Sequence, residues 1–347
     1  MSLIVETDGA LGHITLNKPK ALHALDLPMC EGMTDALKRW QNDPKIGAVV
    51  VDHLAGTRGF CSGGDIRLLS ESAASDGVAA RNFFRTEYRL NTLIHEYPKP
   101  YIALIDGITM GGGVGISVHG AYRVATENTT FAMPETGIGL FPDVGGGWFL
   151  PRLPGEIGLW LALTGARLKA ADCVEAGIAT HYVPSAELPA LKAALAEAAE
   201  KGNIKDALDA AHKDPGPAPL KAQREKIDRI FSAATVETIV AMLEQDGSDW
   251  AKAQIATLAT KSPQTMKVAL RQLREGAKMT RFLDTMVMEF RIASRVVMRP
   301  DFREGVRATI VEKDNAPKWN PATLADVTGA LLDEIFAPLP AHEEFTL

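Results

Sequence analysis

Cysteine is scarce in this 347-residue sequence: Cys30, Cys61 and Cys173 are too few and too unevenly spaced for a disulfide framework or a thiolate metal pattern. A reducing compartment is the expectation. The eight histidines are scattered and no HExxH occurs, so a zinc site has no support and no metal is expected. No GxxxxGK[ST] loop is present. Gly111–Gly115 is not a dinucleotide fingerprint, because Ile116 stands where its last glycine would be. No apolar run reaches membrane-spanning length, and no membrane partner is expected. Leu3-Ile4-Val5 already reads as a strand, with no signal or transit peptide ahead of it; a cytoplasmic protein is expected. Positive charge is also short. With 37 basic and 43 acidic residues the net charge is −6, which argues against nucleic acid but leaves room for local basic patches facing phosphate-bearing small ligands.

What is present is ordinary globular composition, 46% hydrophobic and 23% charged, long enough for one large domain or two. Residues 2–6 and 13–16 alternate around Asp8-Gly9 and read as a β-hairpin. Asp26 can cap a helix bearing Met29, Met33, Leu37 and Trp40 on one face. Ala48–Val51 and Tyr101–Ile105 are continuous apolar runs, the mark of buried strands. Shorter strands are expected at 123–125, 130–133 and 178–183. Glycine-rich loops follow several of these strands, at 59–64 and 110–115, which suggests an α/β arrangement. Beyond about residue 204 strand signals vanish. Six helical patterns then run to Met298, another begins near Arg299, and Pro317 and Pro321 are expected to end the compact part.

Three features carry chemical potential. The segment Met133–Gly147 holds two carboxylates, Glu135 and Asp143, each preceded by a proline and set among apolar residues and glycines. Acids in rigid apolar surroundings have raised pKa values and suit acid–base work, although such a loop could equally cap helices or face water. In the 79–96 helix, Phe83, Glu87, Leu90, Ile94 and Tyr97 form a stripe, so Glu87 falls on the face to be buried. A salt bridge, a backbone contact, an edge position and a site role all remain open for it. The loops at 59–64 and 110–115 can each present a free backbone N–H at a helix start, and two such donors can form an oxyanion hole. Gly59-Phe60-Cys61-Ser62-Gly63 fits a thiol nucleophile elbow, but a small buried cysteine in a glycine turn is the favoured reading.

Phe60-Cys61-Ser62-Gly63-Gly64-Asp65-Ile66-Arg67, Ile108-Thr109-Met110-Gly111-Gly112-Gly113 and Met133-Pro134-Glu135-Thr136 with Phe141-Pro142-Asp143-Val144-Gly145-Gly146 together resemble the crotonase, or enoyl-CoA hydratase/isomerase, superfamily. The chain is similar to its 3-hydroxyisobutyryl-CoA hydrolase branch along essentially its whole length. The resemblance implies an α/β fold: a spiral core of ββα units binding a coenzyme A thioester over residues 1–200, then a helical region over 201–347. It gives the two N–H donors to Gly64 and Gly112. The CoA moiety falls to the Lys20–Ala24 loop with Gly63, Asp65 and Ile66, and Lys20 or Arg67 stands near the phosphates. Coenzyme A belongs to the substrate, so no separate cofactor is implied. Of the two glutamates of the hydratases, one matches Glu135 and the other falls at Gly115, while Asp143 replaces a glycine and Glu87 matches an acid of the hydrolases. The resemblance therefore implies hydrolysis of a small 3-hydroxyacyl-CoA, such as 3-hydroxyisobutyryl-CoA in valine degradation. Hydratase or isomerase chemistry by Glu135 alone is the alternative. The family often forms trimers, though the helical region could instead fold over its own core.

Overall fold

The computed structural model describes residues 2–347. The chain divides into two compact units, each assembled from three stretches. The first takes the residues up to Gly64, Arg89–Ala132 and Arg167–Lys221; the second takes Asp65–Tyr88, Met133–Ala166 and Ala222–Leu347. The expected division at 200/201 follows the order of the chain, and these units do not.

All nine strands among the described residues lie in the first unit. They are β1 (Leu3–Asp8), β2 (Leu11–Leu16), β3 (Ala48–His53), β4 (Gly59–Cys61), β5 (Tyr101–Ile105), β6 (Ile108–Met110), β7 (Tyr122–Ala125), β8 (Thr130–Ala132) and β9 (His181–Tyr182). A six-stranded sheet runs β1-β2-β3-β5-β7-β9, and a three-stranded sheet runs β4-β6-β8. Only the β1–β2 hairpin is antiparallel; all other pairings are parallel. Each consecutive pair, β3/β4, β5/β6 and β7/β8, gives its first strand to the large sheet and its second to the small one. That alternation is a spiral of repeated β–β turns, as expected. On one face of the large sheet Leu11, Val50, Ile102, Leu104 and Val124 pack with Leu188, Leu191 and Leu195 of helix Leu188–Lys201. Asp26 caps helix Leu27–Gln41, its carboxylate accepting from Met29 N–H at 3.0 Å.

The expected loop at 59–64 begins as β4, β6 was not expected, and the expected strand at 178–183 shortens to β9. Strands of two or three residues are too short to show a period; long-range pairing makes them strands. The second unit is helical. It includes helices Ile66–Ala73, Ile157–Thr164, Pro263–Gly276, Phe282–Val296 and Pro300–Val306, and the first part of Val78–His95. The expected stop at Pro317 and Pro321 needs correction, because a further helix, Gly329–Phe336, follows and the tail packs back. Phe345 is buried, with its ring 5.6 Å from that of Phe290 and 6.3 Å from that of Tyr88. Arg85 donates to the carbonyls of Glu343 at 2.6 Å and Glu344 at 2.8 Å, while Arg291 pairs with the Glu344 carboxylate at 2.8 Å.

Candidate active site

In the first unit, β4 and the start of helix Gly112–Val118 come very close. A Cβ on Gly113 would run into the Cys61 backbone, so only glycine allows the approach. The Gly63–Gly64 loop is thereby set beside the helix start: a Cβ on Gly63 would lie 3.7 Å from Met110 O and 3.9 Å from Gly112 N. The bond at the Leu25–Gly64 bridge runs from Leu25 N–H to Gly63 C=O at 2.8 Å and leaves the Gly64 N–H out of it. Gly112, first residue of its helix, has an N–H that the helix cannot pair. Two donors thus stand on neighbouring loops. The 3-10 turn Pro19–Ala21 is stitched to the same loop, Ser62 N–H donating to Leu22 O at 3.0 Å and Ser62 Oγ to Ala21 O at 3.2 Å. Lys20 is exposed and Ala24 half-buried on this stretch, whose neighbours Ala21, Leu22 and Leu25 bond Ser62 and Gly63. Cys61 is fully buried with Sγ 3.6 Å from Gly63 O, consistent with a packing role.

The second unit gathers the acids. Asp65 caps helix Ile66–Ala73, accepting from Leu68 N–H at 3.2 Å, so its carboxylate is engaged in the fold; Ile66 is half-buried and Arg67 exposed. Glu135 opens the 3-10 turn Glu135–Ile138, which is held from outside: Ser262 N–H donates to Thr136 O at 3.0 Å and Thr136 Oγ1 to Leu163 O at 3.3 Å. Helix Pro300–Val306 presses on this turn at Gly305, where any Cβ would collide with the Ile138 backbone. Asp143 follows Pro142, and its Oδ2 accepts from the Tyr88 hydroxyl at 2.8 Å. Glu87, Glu135 and Asp143 are 2%, 5% and 5% exposed. Glu87 Oε1 and Glu135 Oε2 have no hydrogen-bond partner among the described residues.

Burial and mutual repulsion set the protonation of this group. Burial lifts Asp143 to about 7, with the Tyr88 hydroxyl pulling the other way. Burial, then the charge of Asp143, raises Glu135 well above the carboxylate range, while Lys261 opposes the rise. Glu87 is raised well above it too, by burial and then by Asp143 and Glu135. The Tyr88 phenol is pushed up, chiefly by burial, and so remains a donor. Of these three mutually repelling acids Asp143 can accept and return a proton near neutral pH, and the other two, each with an unpaired oxygen, are held above the ordinary carboxylate range. Of the alternatives open for Glu87, burial beside two other acids rules out the edge position in water.

Tyr88, Glu289 and Gln272 were missed. Tyr88 escaped notice because the neighbouring stripe drew attention to Glu87. Glu289 carried the same signal, standing in the apolar series Met286, Glu289, Ala293, Val296 of its helix. Gln272 gave none. Among the described residues no cluster of candidate metal ligands occurs, and no helix is long and apolar enough to cross a membrane.

The enoyl-CoA hydratase/isomerase family model matches residues 11–336. The chain is 48% identical over 338 residues to "3-hydroxyisobutyryl-CoA hydrolase, mitochondrial" of Xenopus tropicalis, covering 95% of this chain and 87% of the relative. It is 46% identical over 348 residues to the human protein of the same name, covering 98% and 90%. A solved structure described as a carnitinyl-CoA dehydratase from Mycobacterium thermoresistibile superposes with a TM-score of 0.93 at 41% identity, covering 99% of this chain and 98% of the other. One described as an enoyl-CoA hydratase from Rhodobacter sphaeroides 2.4.1 gives 0.91 at 36% identity, covering both chains completely. With the spiral of paired strands, the glycine donors and the acid cluster already in view, these matches settle the family: the chain belongs to the enoyl-CoA hydratase/isomerase family of the crotonase superfamily.

Proposed function

We propose that this chain hydrolyses a small 3-hydroxyacyl-CoA thioester, with 3-hydroxyisobutyryl-CoA as the substrate supported by the names of its relatives. The observation that carries the reading is the buried pair Glu135 and Asp143, with Tyr88 holding the second. The Gly64 and Gly112 N–H groups hold the thioester oxygen, and they hold it better as charge grows on it in the tetrahedral intermediate. Glu135 either takes a proton from water or attacks the carbonyl itself to give a mixed anhydride that water cleaves. Asp143 binds the 3-hydroxyl or positions the water, and Glu87 lines the acyl pocket. A site built to bond a hydroxyl rejects acyl groups lacking one far more strongly than an apolar wall rejects a methylene.

The test is free-thiol release from 3-hydroxyisobutyryl-CoA and 3-hydroxypropionyl-CoA, run beside hydration of crotonyl-CoA. Thiol release without hydration is expected. A second reading, hydration or dehydration by Glu135, draws support from the descriptions of the two solved relatives. Hydration of crotonyl-CoA with no thiol released would make it the better one. Against it stands Gly115, which offers no side chain for a second acid. Single turnover in ¹⁸O-water bears on the hydrolytic routes: label in Glu135 marks an anhydride opened at the Glu135 carbon, and label in the released acid alone fits direct attack or an anhydride opened at the acyl carbon.

A further inference from the structure

Helix Phe282–Val296 carries a carboxylate for which the proposed chemistry has no use. Glu289 is fully buried. Its Oε2 accepts from Gly145 N–H at 2.7 Å; its Oε1 accepts from Gly147 N–H at 2.7 Å and from Gln272 Nε2 at 3.0 Å. The same Gln272 amide donates to Pro142 C=O at 2.7 Å. Two helices thus tie three backbone groups of the 142–147 segment, and Asp143 stands between the ties. Val144, next to it, has φ of 52°, a conformation that a β-branched residue rarely adopts, and Gly145 follows at 85°. Something must hold Val144 there.

We propose that Glu289, with Gln272 beside it, is a positioning residue that keeps Val144 in this conformation and thereby fixes where the Asp143 carboxylate stands. The inference rests on the reading that Asp143 takes part in the reaction. A carboxyl group is suitable, because two backbone N–H groups converge on it from the same segment and each needs an acceptor, and both of its oxygens accept freely once it ionises above about 8, the range in which the variants are compared. Glutamine at 289 would have a single acceptor oxygen, and its NH₂ would face one of the two amides. Glu289 reaches the reaction through the backbone that carries Asp143. Tyr88 bonds the carboxylate itself, and Glu289 sets the chain that carries it.

The full-length chain, Glu289→Gln, Val144→Gly and the double variant are compared by thiol release from 3-hydroxyisobutyryl-CoA, with urea midpoints measured alongside. Glu289→Gln is expected to lower kcat on the order of a hundredfold with KM little changed, the cost of misplacing a reacting group by about an ångström. Glycine occupies φ near 50° without support. In the Val144→Gly background the same substitution should therefore cost tenfold or less. Equal loss in both backgrounds, or unaltered kcat in Glu289→Gln, overturns the proposal and leaves only a contribution to stability. Should Glu289→Gln not fold, Gln272→Met cuts the tie to Pro142 and the bond to Glu289 Oε1 while leaving the two bonds from Gly145 and Gly147 in place: a kcat loss of about tenfold at constant KM supports the clamp, and an unchanged kcat overturns it. A wild-type chain that hydrates crotonyl-CoA and releases no thiol sinks the hydrolase reading alone, and the same variants then test the clamp on hydration. Neither activity overturns both.

Discussion

Glu135 and Asp143 stand in different surroundings. Glu135 keeps an oxygen without a partner, whereas Asp143 is bonded to Tyr88. Glu135→Gln removes the base or nucleophile and should lower thioester hydrolysis by about 10²–10⁴-fold with CoA binding kept, read by thiol release and by calorimetric titration. Unimpaired turnover in that variant would sink the assignment. Tyr88→Phe tests the second acid. The hydroxyl pulls Asp143 down against burial, so its loss should raise Asp143 above about 7 and move the acid limb of kcat/KM to higher pH. The lost buried bond should also cost about 1–3 kcal/mol in urea unfolding. An acid limb that stays in place would dissociate Tyr88 from the chemistry. The acids at 87, 135 and 143 could be picked out from the sequence, since charge in an apolar stripe or a proline-stiffened loop is a physical anomaly. Tyr88 could not, because a tyrosine on a buried helix face is an ordinary core residue until its hydroxyl is seen to find a carboxylate.

Among the elements, those with a long period were legible and those made by distant partners were not. Helix Leu27–Gln41 and the runs at 48–53 and 101–105 are fixed by capping and by continuous burial, which local sequence displays. β4 and β6 are three residues each and exist because they pair with one another and with β8. The tail beyond residue 321 is held by Arg85 and Arg291 and by Phe290, all far away along the chain. Phe345→Ala should therefore cost about 3 kcal/mol, as for a core aromatic, and be visible in the urea midpoint. A change under about 0.5 kcal/mol would mean the tail merely rests on the surface. Gly305→Ala pushes a methyl into the Ile138 backbone and strains the turn that carries Glu135. The expected loss is about 1–3 kcal/mol, with hydrolysis falling alongside.

Five buried carboxyls in one unit, Glu87, Glu135, Asp143, Glu289 and Asp301, each raised first of all by burial, give the whole molecule a particular response to pH. Burial raises Asp143 to about 7 and Glu289 to about 8, and raises Glu87 and Glu135 well above their ordinary values. Asp143 and Glu289 accordingly hold protons in the folded chain that they have lost in the unfolded one at pH values between the ordinary carboxylate range and about 7 and 8, while the lowered His23 and His53 act the other way at and below the ordinary histidine range. Where the folded state binds more protons, stability falls as pH rises. Asp143 and Glu289 contribute fully below about pH 4, and their contribution is lost progressively as pH rises through about 7 and about 8; Glu87 and Glu135 act in the same direction. The melting temperature should thus drop between pH 5.5 and 8.5, and the drop should shrink in Asp143→Asn. A melting temperature that rises across this window would refute the assignment of raised values.

The return of the tail onto Tyr88 also has a meaning in time. Tyr88 leaves the ribosome early, and Phe345, which covers it, is made near the end of the same chain. At about 5–20 residues per second, roughly ten to fifty seconds separate the two. From the point within that interval at which Tyr182 is made, the first unit possesses all its strands, while the second still lacks most of its helices. Nascent chains should accordingly gain their sheets well before they gain any turnover, and a premature stop within the last twenty codons should yield a protein that folds its spiral and hydrolyses nothing.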